Sequence, residues 1–112
     1  MFITMNRIPV NPDHAQQFEE HFQHRARLVD RMPGFIRNLL LRPEDPAQQP
    51  YVVMTFWESR AHFEAWVNSP EFREGHAKSG TLPREVFRGP NHLETFEAIS
   101  DTGEPNAREV RS

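Results

Sequence analysis

YVVMTFW, residues 51–57, is seven residues of aromatic, β-branched and apolar side chains with no charge among them. Such a run favours a strand over a helix. Side chains alternate across a strand, so Tyr51, Val53, Thr55 and Trp57 share one face while Val52, Met54 and Phe56 share the other. Both faces are apolar. A sheet covered by helices on one side only should show one polar face, so the second face needs a cover of its own. A second copy of the same sheet supplies that cover most economically.

Working outward, EDPAQQP (44–50) has loop composition, and FIRNLLLRP (35–43) before it predicts a strand that follows the Pro33-Gly34 stop. Upstream of that stop, Ala15, Phe18, Phe22, Ala26, Val29 and Met32 recur at three and four residues, which predicts one amphipathic helix over 13–31. Asn11-Pro12 opens it as a cap followed by proline in the first turn. FITMNRIPV (2–10) predicts the first strand. Downstream, Ser59 caps a short helix over 60–67 and Ser69-Pro70 caps another over 70–78. GTLPREVFRGP (80–90) predicts a loop, HLETFEAI (92–99) a last strand, and residues 101–112 a polar, flexible tail after one domain over 1–100. The order βαββαβ is the ferredoxin-like plan, an α+β fold with a four-stranded antiparallel sheet.

Composition narrows the chemistry. The 112 residues hold 13 Lys and Arg against 16 Asp and Glu, and no basic stripe interleaved with aromatics, which speaks against nucleic acid. Cysteine is absent, so disulfides, zinc-thiolate sites, iron–sulfur clusters and thiol nucleophiles are excluded. No apolar run approaches the ~20 residues of a membrane span, and the N-terminal stretch turns polar too soon for a signal peptide; a cytoplasmic protein is expected. Metal or cofactor ligands must come from His, Asp, Glu, Met or Tyr51.

Six histidines are candidates. His14, His21 and His24 lie among Gln17, Glu19, Glu20 and Arg25, which predicts a solvated helix face. His76 stands four residues after Phe72, on the same side of its helix and beside an apolar wall. A lone histidine there is either a hydrogen-bonded core residue or a ligand. Trp66, three residues after Phe63, is either core or a pocket wall whose indole N–H meets a cavity. Asn6 shares a strand face with Phe2, Thr4 and Ile8, where an amide must find partners; a nearby backbone group or a ligand would serve. Together these residues describe an apolar cavity with one imidazole and one amide. One imidazole without a carboxylate cluster does not suit zinc hydrolysis, which takes three protein ligands. It suits a flat apolar group bringing four nitrogen ligands of its own, which is haem.

The segment TFWESRAHFEAWVNSPEFREGH (55–76) carries a resemblance at Thr55, Trp57, Ser59, Phe63, Trp66, Ser69, Phe72 and His76. With Asn6-Arg7 in the first strand and Pro33-Gly34-Phe35 at the turn, it resembles the IsdG-like haem-degrading monooxygenases of the antibiotic-biosynthesis-monooxygenase superfamily. The resemblance runs from residue 1 to about residue 99. It implies a dimeric α/β-barrel, a homodimer joined through its sheets. It further implies His76 as the axial ligand of the haem iron, Asn6 on the opposite, distal side, and Trp66 pressing on the porphyrin. The loop after His76 departs from the pattern, which leaves propionate contacts to Arg7, Arg25 and Lys78 as candidates.

The activity so implied is oxidative haem cleavage to an open tetrapyrrole and iron. Haem is substrate and cofactor at once, O2 is the co-substrate, and electrons come from an external reductase or small reductant. Two rivals remain at this point. One is a cofactor-independent oxygenase of aromatic or quinol substrates, with His76 as a proton-transfer group. The other is a non-enzymatic haem-binding dimer, or a small protein with an empty cavity.

Overall fold

The computed structural model describes residues 1–25, 27–79 and 82–103, and the side chains of 76–79 lie outside that description. Four strands, β1 (Phe2–Ile8), β2 (Phe35–Leu41), β3 (Tyr51–Trp57) and β4 (His92–Glu97), form one antiparallel sheet in the order β2-β3-β1-β4. Three α-helices, α1 (Ala15–Gln23), α2 (Arg60–Val67) and α3 (Pro70–Ser79), complete the βαββαβ order. This is the expected ferredoxin-like arrangement. Its two central strands are β1 and β3, in register from Phe2↔Trp57 to Ile8↔Tyr51.

The core lies between one sheet face and α1. Ile8, Val10, Phe18, Tyr51 and Val86 pack together there, with the Phe18 and Tyr51 rings 5.0 Å apart. Val86, fully buried, comes from a 3-10 turn (Arg84–Val86) in the stretch expected to be plain loop. The Val10↔Phe87 bridge and the Asn11 N–H to Val86 carbonyl bond (2.8 Å) seat that turn on the chain leaving β1. At the other end Trp57, 1% exposed, packs edge-on against Phe35 and Phe63.

Helix α1 is shorter than its periodicity predicts. Asn11 caps as expected, its Oδ1 accepting from the Asp13 N–H at 3.1 Å, but Pro12–His14 form a 3-10 turn before the α-helix begins. The α-helix then stops at Gln23 and not at 31. Two side chains add second hydrogen bonds to carbonyls that the His24 and Arg25 backbone N–H groups already reach at 3.2 Å. The His24 Nδ1–H donates to the Glu20 carbonyl (2.7 Å), and Arg25 Nη1 donates to the Phe22 carbonyl (3.1 Å). Arg27 then takes a left-handed backbone (φ 57°), and Leu28–Arg31 continue as a 3-10 turn. The apolar spacing survives this break because Val29 still returns to the same side, which is why the spacing alone does not reveal it.

Strand β2 holds a bulge. Phe35 pairs with Trp57 and Arg37 with Phe56, so Ile36 is an extra residue between them. The bulge reverses the parity of the strand: Asn38 and Leu40 turn toward the helices, and Arg37, Leu39 and Leu41 turn away. β1 and β2 end at Ile8 and Leu41, before Pro9 and Pro43, and β4 ends at Glu97; each is two residues shorter than expected. The tail expected over 101–112 lies outside the described residues from 104 onward.

Candidate functional site

A cavity of about 440 Å³ separates the sheet from the helices. Trp66, Phe63, Phe72, Val67, Val29 and Phe22 form its apolar wall, and Asn6, Thr4, Thr55, Asn38, Arg25 and His21 bring polar groups to it. Two of the three residues singled out in the sequence, Asn6 and Trp66, therefore line one space. For the third, His76, the backbone lies in α3 one turn beyond Phe72 and the side chain is outside the described residues.

Local sequence explains the aromatic wall. Ser59 Oγ accepts from the His62 N–H (3.3 Å) and starts α2. Ser69 does double duty between α2 and α3. Its hydroxyl donates to the Trp66 carbonyl (2.6 Å) and accepts from the Phe72 N–H (3.1 Å). Pro70 fits the first turn of α3 because it has no N–H to lose. This junction holds the Trp66 and Phe72 rings edge-on at 5.3 Å. Both tryptophans line the cavity: Trp57 from the core, 1% exposed, and Trp66 from α2, half-buried.

Asn6 sits on β1 between Val53 and Leu93 of the neighbouring strands. Its carboxamide makes no hydrogen bond to any described residue, so neither a loop nor a backbone group at the sheet edge accounts for it. It opens on the cavity as a free donor and acceptor.

Arg25, named from the sequence as a candidate for propionate contacts, lines the cavity and makes up its polar end with Asn38 and Thr55, which the sequence did not single out for this. Arg25 Nη2 donates to Asn38 Oδ1 (3.2 Å), and Asn38 Nδ2 donates to Thr55 Oγ1 (2.7 Å). The Arg25 guanidinium lies 4.0 Å over the Phe22 ring. Burial lowers its pKa from the ordinary arginine value, with Asp30 opposing that shift. Its bonds go to a carbonyl and an amide, with no carboxylate in contact among the described residues. His21, expected on a solvated face with His14 and His24, lines the cavity instead. It follows Phe18 by three, as Arg25 follows Phe22, and that spacing was the signal for both. His24 is exposed and His14 half-buried, and neither lines the cavity.

Arg7 is a correction. It points to the outer sheet face, where its Nε donates to Glu94 Oε1 at 2.6 Å, and it is not available to a cavity ligand. Lys78 falls outside the described side chains. Among the described residues, no three His, Asp or Glu side chains come together to hold a metal ion.

A four-stranded antiparallel sheet in this strand order, with helices on one face over an aromatic cavity, is a ferredoxin-like α+β fold with a small-molecule site. The chain belongs to the antibiotic biosynthesis monooxygenase family, whose profile matches residues 1–78. Within it, the chain is 37% identical over 101 residues to a mycobilin-producing heme oxygenase of Mycobacterium tuberculosis, covering 90% of this chain and 91% of that protein. It is 30% identical over 82 residues to a staphylobilin-producing heme oxygenase of Staphylococcus epidermidis, covering 71% and 77%. Among solved structures, the M. tuberculosis heme-degrader MhuD with two hemes in its active site superposes with a TM-score of 0.73 at 35% identity, covering 92% of this chain and all of that one. SnoaB, a cofactor-independent oxygenase from Streptomyces nogalater, superposes at 0.69 with 26% identity, covering 92% and 97%.

Proposed function

We propose that this protein is a haem-degrading monooxygenase, opening haem to a linear tetrapyrrole and releasing iron with O2 and electrons from an external reductase or small reductant. The observation that carries the reading is Asn6, an unpaired carboxamide on a sheet face, set in the same cavity as Trp66. The cavity volume falls within the range of small-molecule sites, and its mix of aromatic wall and few polar groups is what a flat amphiphile requires. Haem carries carboxylates, and the Arg25 guanidinium, with no carboxylate in contact among the described residues, suits such a ligand. Haem-degrading relatives of more than 30% identity over most of the chain support the substrate class.

Each residue has a task in this reading. His76, one turn beyond Phe72, supplies the imidazole that holds the iron. Asn6 offers its N–H where negative charge develops on oxygen. Trp66, on the cavity wall, would pack against the bound group and keep water from that side. The bound haem supplies the redox chemistry, as substrate and cofactor together. The working unit is a cytoplasmic homodimer closed through the outer sheet faces.

The test is a hemin titration followed by reductant. A stoichiometric Soret band that decays with ascorbate or a reductase supports the reading. A band that persists leaves a haem-binding dimer. No band leaves the cofactor-independent oxygenase, a reading that the likeness to SnoaB keeps in view. His76→Ala should abolish or strongly blue-shift the Soret complex with native circular dichroism. An unchanged spectrum would move the iron to another imidazole. His21 is then the candidate, because it lines the cavity while His62 and His92 do not.

A further inference from the structure

We infer that Asn38 is the positioning residue of the cavity, aiming the Arg25 guanidinium and the Thr55 hydroxyl at a carboxylate-bearing ligand. The inference rests on the haem reading for the identity of that ligand. It starts from the bulge at Ile36. Without that extra residue, strict alternation from Phe35 would send Arg37 toward the helices and Asn38 away from them. With it, Arg37 goes to the outer face, its guanidinium 4.7 Å over the Phe56 ring, and the carboxamide of Asn38 enters the cavity opposite Thr55. Bulges that re-aim one side chain are a recurring device beside functional sites.

The orientation of that carboxamide is fixed by chemistry. Arginine only donates, so the Asn38 oxygen must face Arg25 and the nitrogen must face Thr55. Thr55 Oγ1 is thereby an acceptor from Asn38, and its own proton has no acceptor among the described residues. Thr55 lines the cavity, so that proton is available there. The other end of the chain is a half-buried cation whose partners are all neutral. Asp30 acts on this half-buried cation only at a distance, so no carboxylate touches it among the described residues, and a ligand carboxylate in contact would relieve its burial. One amide thus orders two donors from two different elements, the end of α1 and β3, at one end of an otherwise aromatic space. A planar apolar molecule that carries carboxylates meets both halves of this arrangement.

The bland alternative is that Asn38 merely ties α1 to the sheet. Titrations of the parent protein, Asn38→Leu and Asn38→Asp with ferric haem and with its dimethyl ester separate the two, read by the Soret band. The parent should prefer the free acid by about tenfold or more, the scale of a charge-assisted hydrogen bond. Asn38→Leu cannot hold either donor, and Asn38→Asp neutralises Arg25 while remaining isosteric and able to accept its bond. Both variants should therefore lose most of the preference while binding the ester nearly as the parent does, with native circular dichroism. Asn38→Asp keeps the test open if the leucine variant is poorly folded. The inference is overturned if either folded variant keeps the preference, if the parent shows none, or if the affinities for acid and ester fall together. Failure of both porphyrins to give a Soret complex with the parent would instead remove the haem reading, and this inference with it.

Discussion

Asn6 and Trp66 are residues whose cost to the fold and value to the chemistry can be separated. Trp66 is half-buried, and its ring meets Phe72 on one side and the cavity on another. Removing a fully packed tryptophan costs about 3–5 kcal/mol. Trp66→Ala should cost clearly less, about 1–2 kcal/mol on the same scale of lost burial, because much of the ring borders open space. Asn6→Ala should leave the melting temperature nearly unchanged, since no described residue loses a hydrogen bond. Both variants should still bind hemin and lose most of its reductant-driven turnover. A Trp66→Ala protein that melts far lower yet degrades haem at the parent rate would return Trp66 to the core. These two residues were legible because each breaks a local expectation: an amide on a core strand face, a second tryptophan near a helix end. Arg25 was already a candidate for propionate contacts, and it does line the cavity. Asn38 was harder, because it enters the cavity only through a bulge that no residue in FIRNLLL announces.

At the scale of the elements, two junctions hold the cavity walls in place. The first joins α1 to the sheet. Glu19 receives the Tyr51 hydroxyl and the Arg42 guanidinium, with Arg42 Nε at 2.8 Å. The Arg42 hydrogen bond first, and the Tyr51 bond next, hold the Glu19 carboxyl down at about 2, while burial pushes the Tyr51 phenol up to about 12. The folded carboxylate is thus more acidic than the unfolded one, whose ordinary value is 4.5. Its stabilisation is complete above that value and disappears as pH falls from about 4.5 toward 2. Glu19→Gln should lower the melting temperature modestly at neutral pH, because solvent screens the exposed Arg42, and flatten its dependence on pH over that window. A variant with the parent's acid limb would place the titration elsewhere. The second junction is Gly34, where φ is +80° and an added Cβ would lie 2.1 Å from His62 Cγ. Gly34→Ala should cost about 2–4 kcal/mol from overpacking and a left-handed backbone together. Adding His62→Ala should restore only part of it, because the Cβ of residue 62 would still be 2.6 Å away. Full restoration, followed by denaturant melts, would mean that the backbone tolerates the change and the ring alone opposes it. Caps at Asn11, Ser59 and Ser69 were readable because they use local chemistry. The end of α1 at Gln23 was not, because no glycine or proline marks it and the backbone and side chains of His24 and Arg25 close it.

At the scale of the molecule, the two-faced character of Tyr51–Trp57 is borne out in the fold and leaves an outer face to be covered. On β3, Val52, Met54 and Phe56 lie on the side away from the cavity and are only half-buried. Ile3 and Met5 flank them on β1 and Leu39 and Leu41 on β2, and Phe96 on β4 is 46% exposed. Around this patch lie the Arg7–Glu94 pair and Arg37 stacked on Phe56. Contiguous apolar surface of this kind marks an association site, and a self-complementary two-fold contact is the commonest way for identical chains to bury one. The strand that carries the patch also carries Val53 and Thr55 into the cavity, so one element serves both faces. Met54→Glu places a charge at the middle of the outer face, and Met54 is not itself among the cavity-lining residues. At micromolar concentration the parent should sediment as a dimer of 13.2 kDa chains and the variant as a monomer. Because β3 loses the support of its second face, the monomer should also melt lower and bind hemin more weakly than the parent. A parent that sediments as a stable monomer would remove the sheet-to-sheet dimer. A monomeric Met54→Glu protein with the parent's hemin affinity would keep the dimer but separate it from the site.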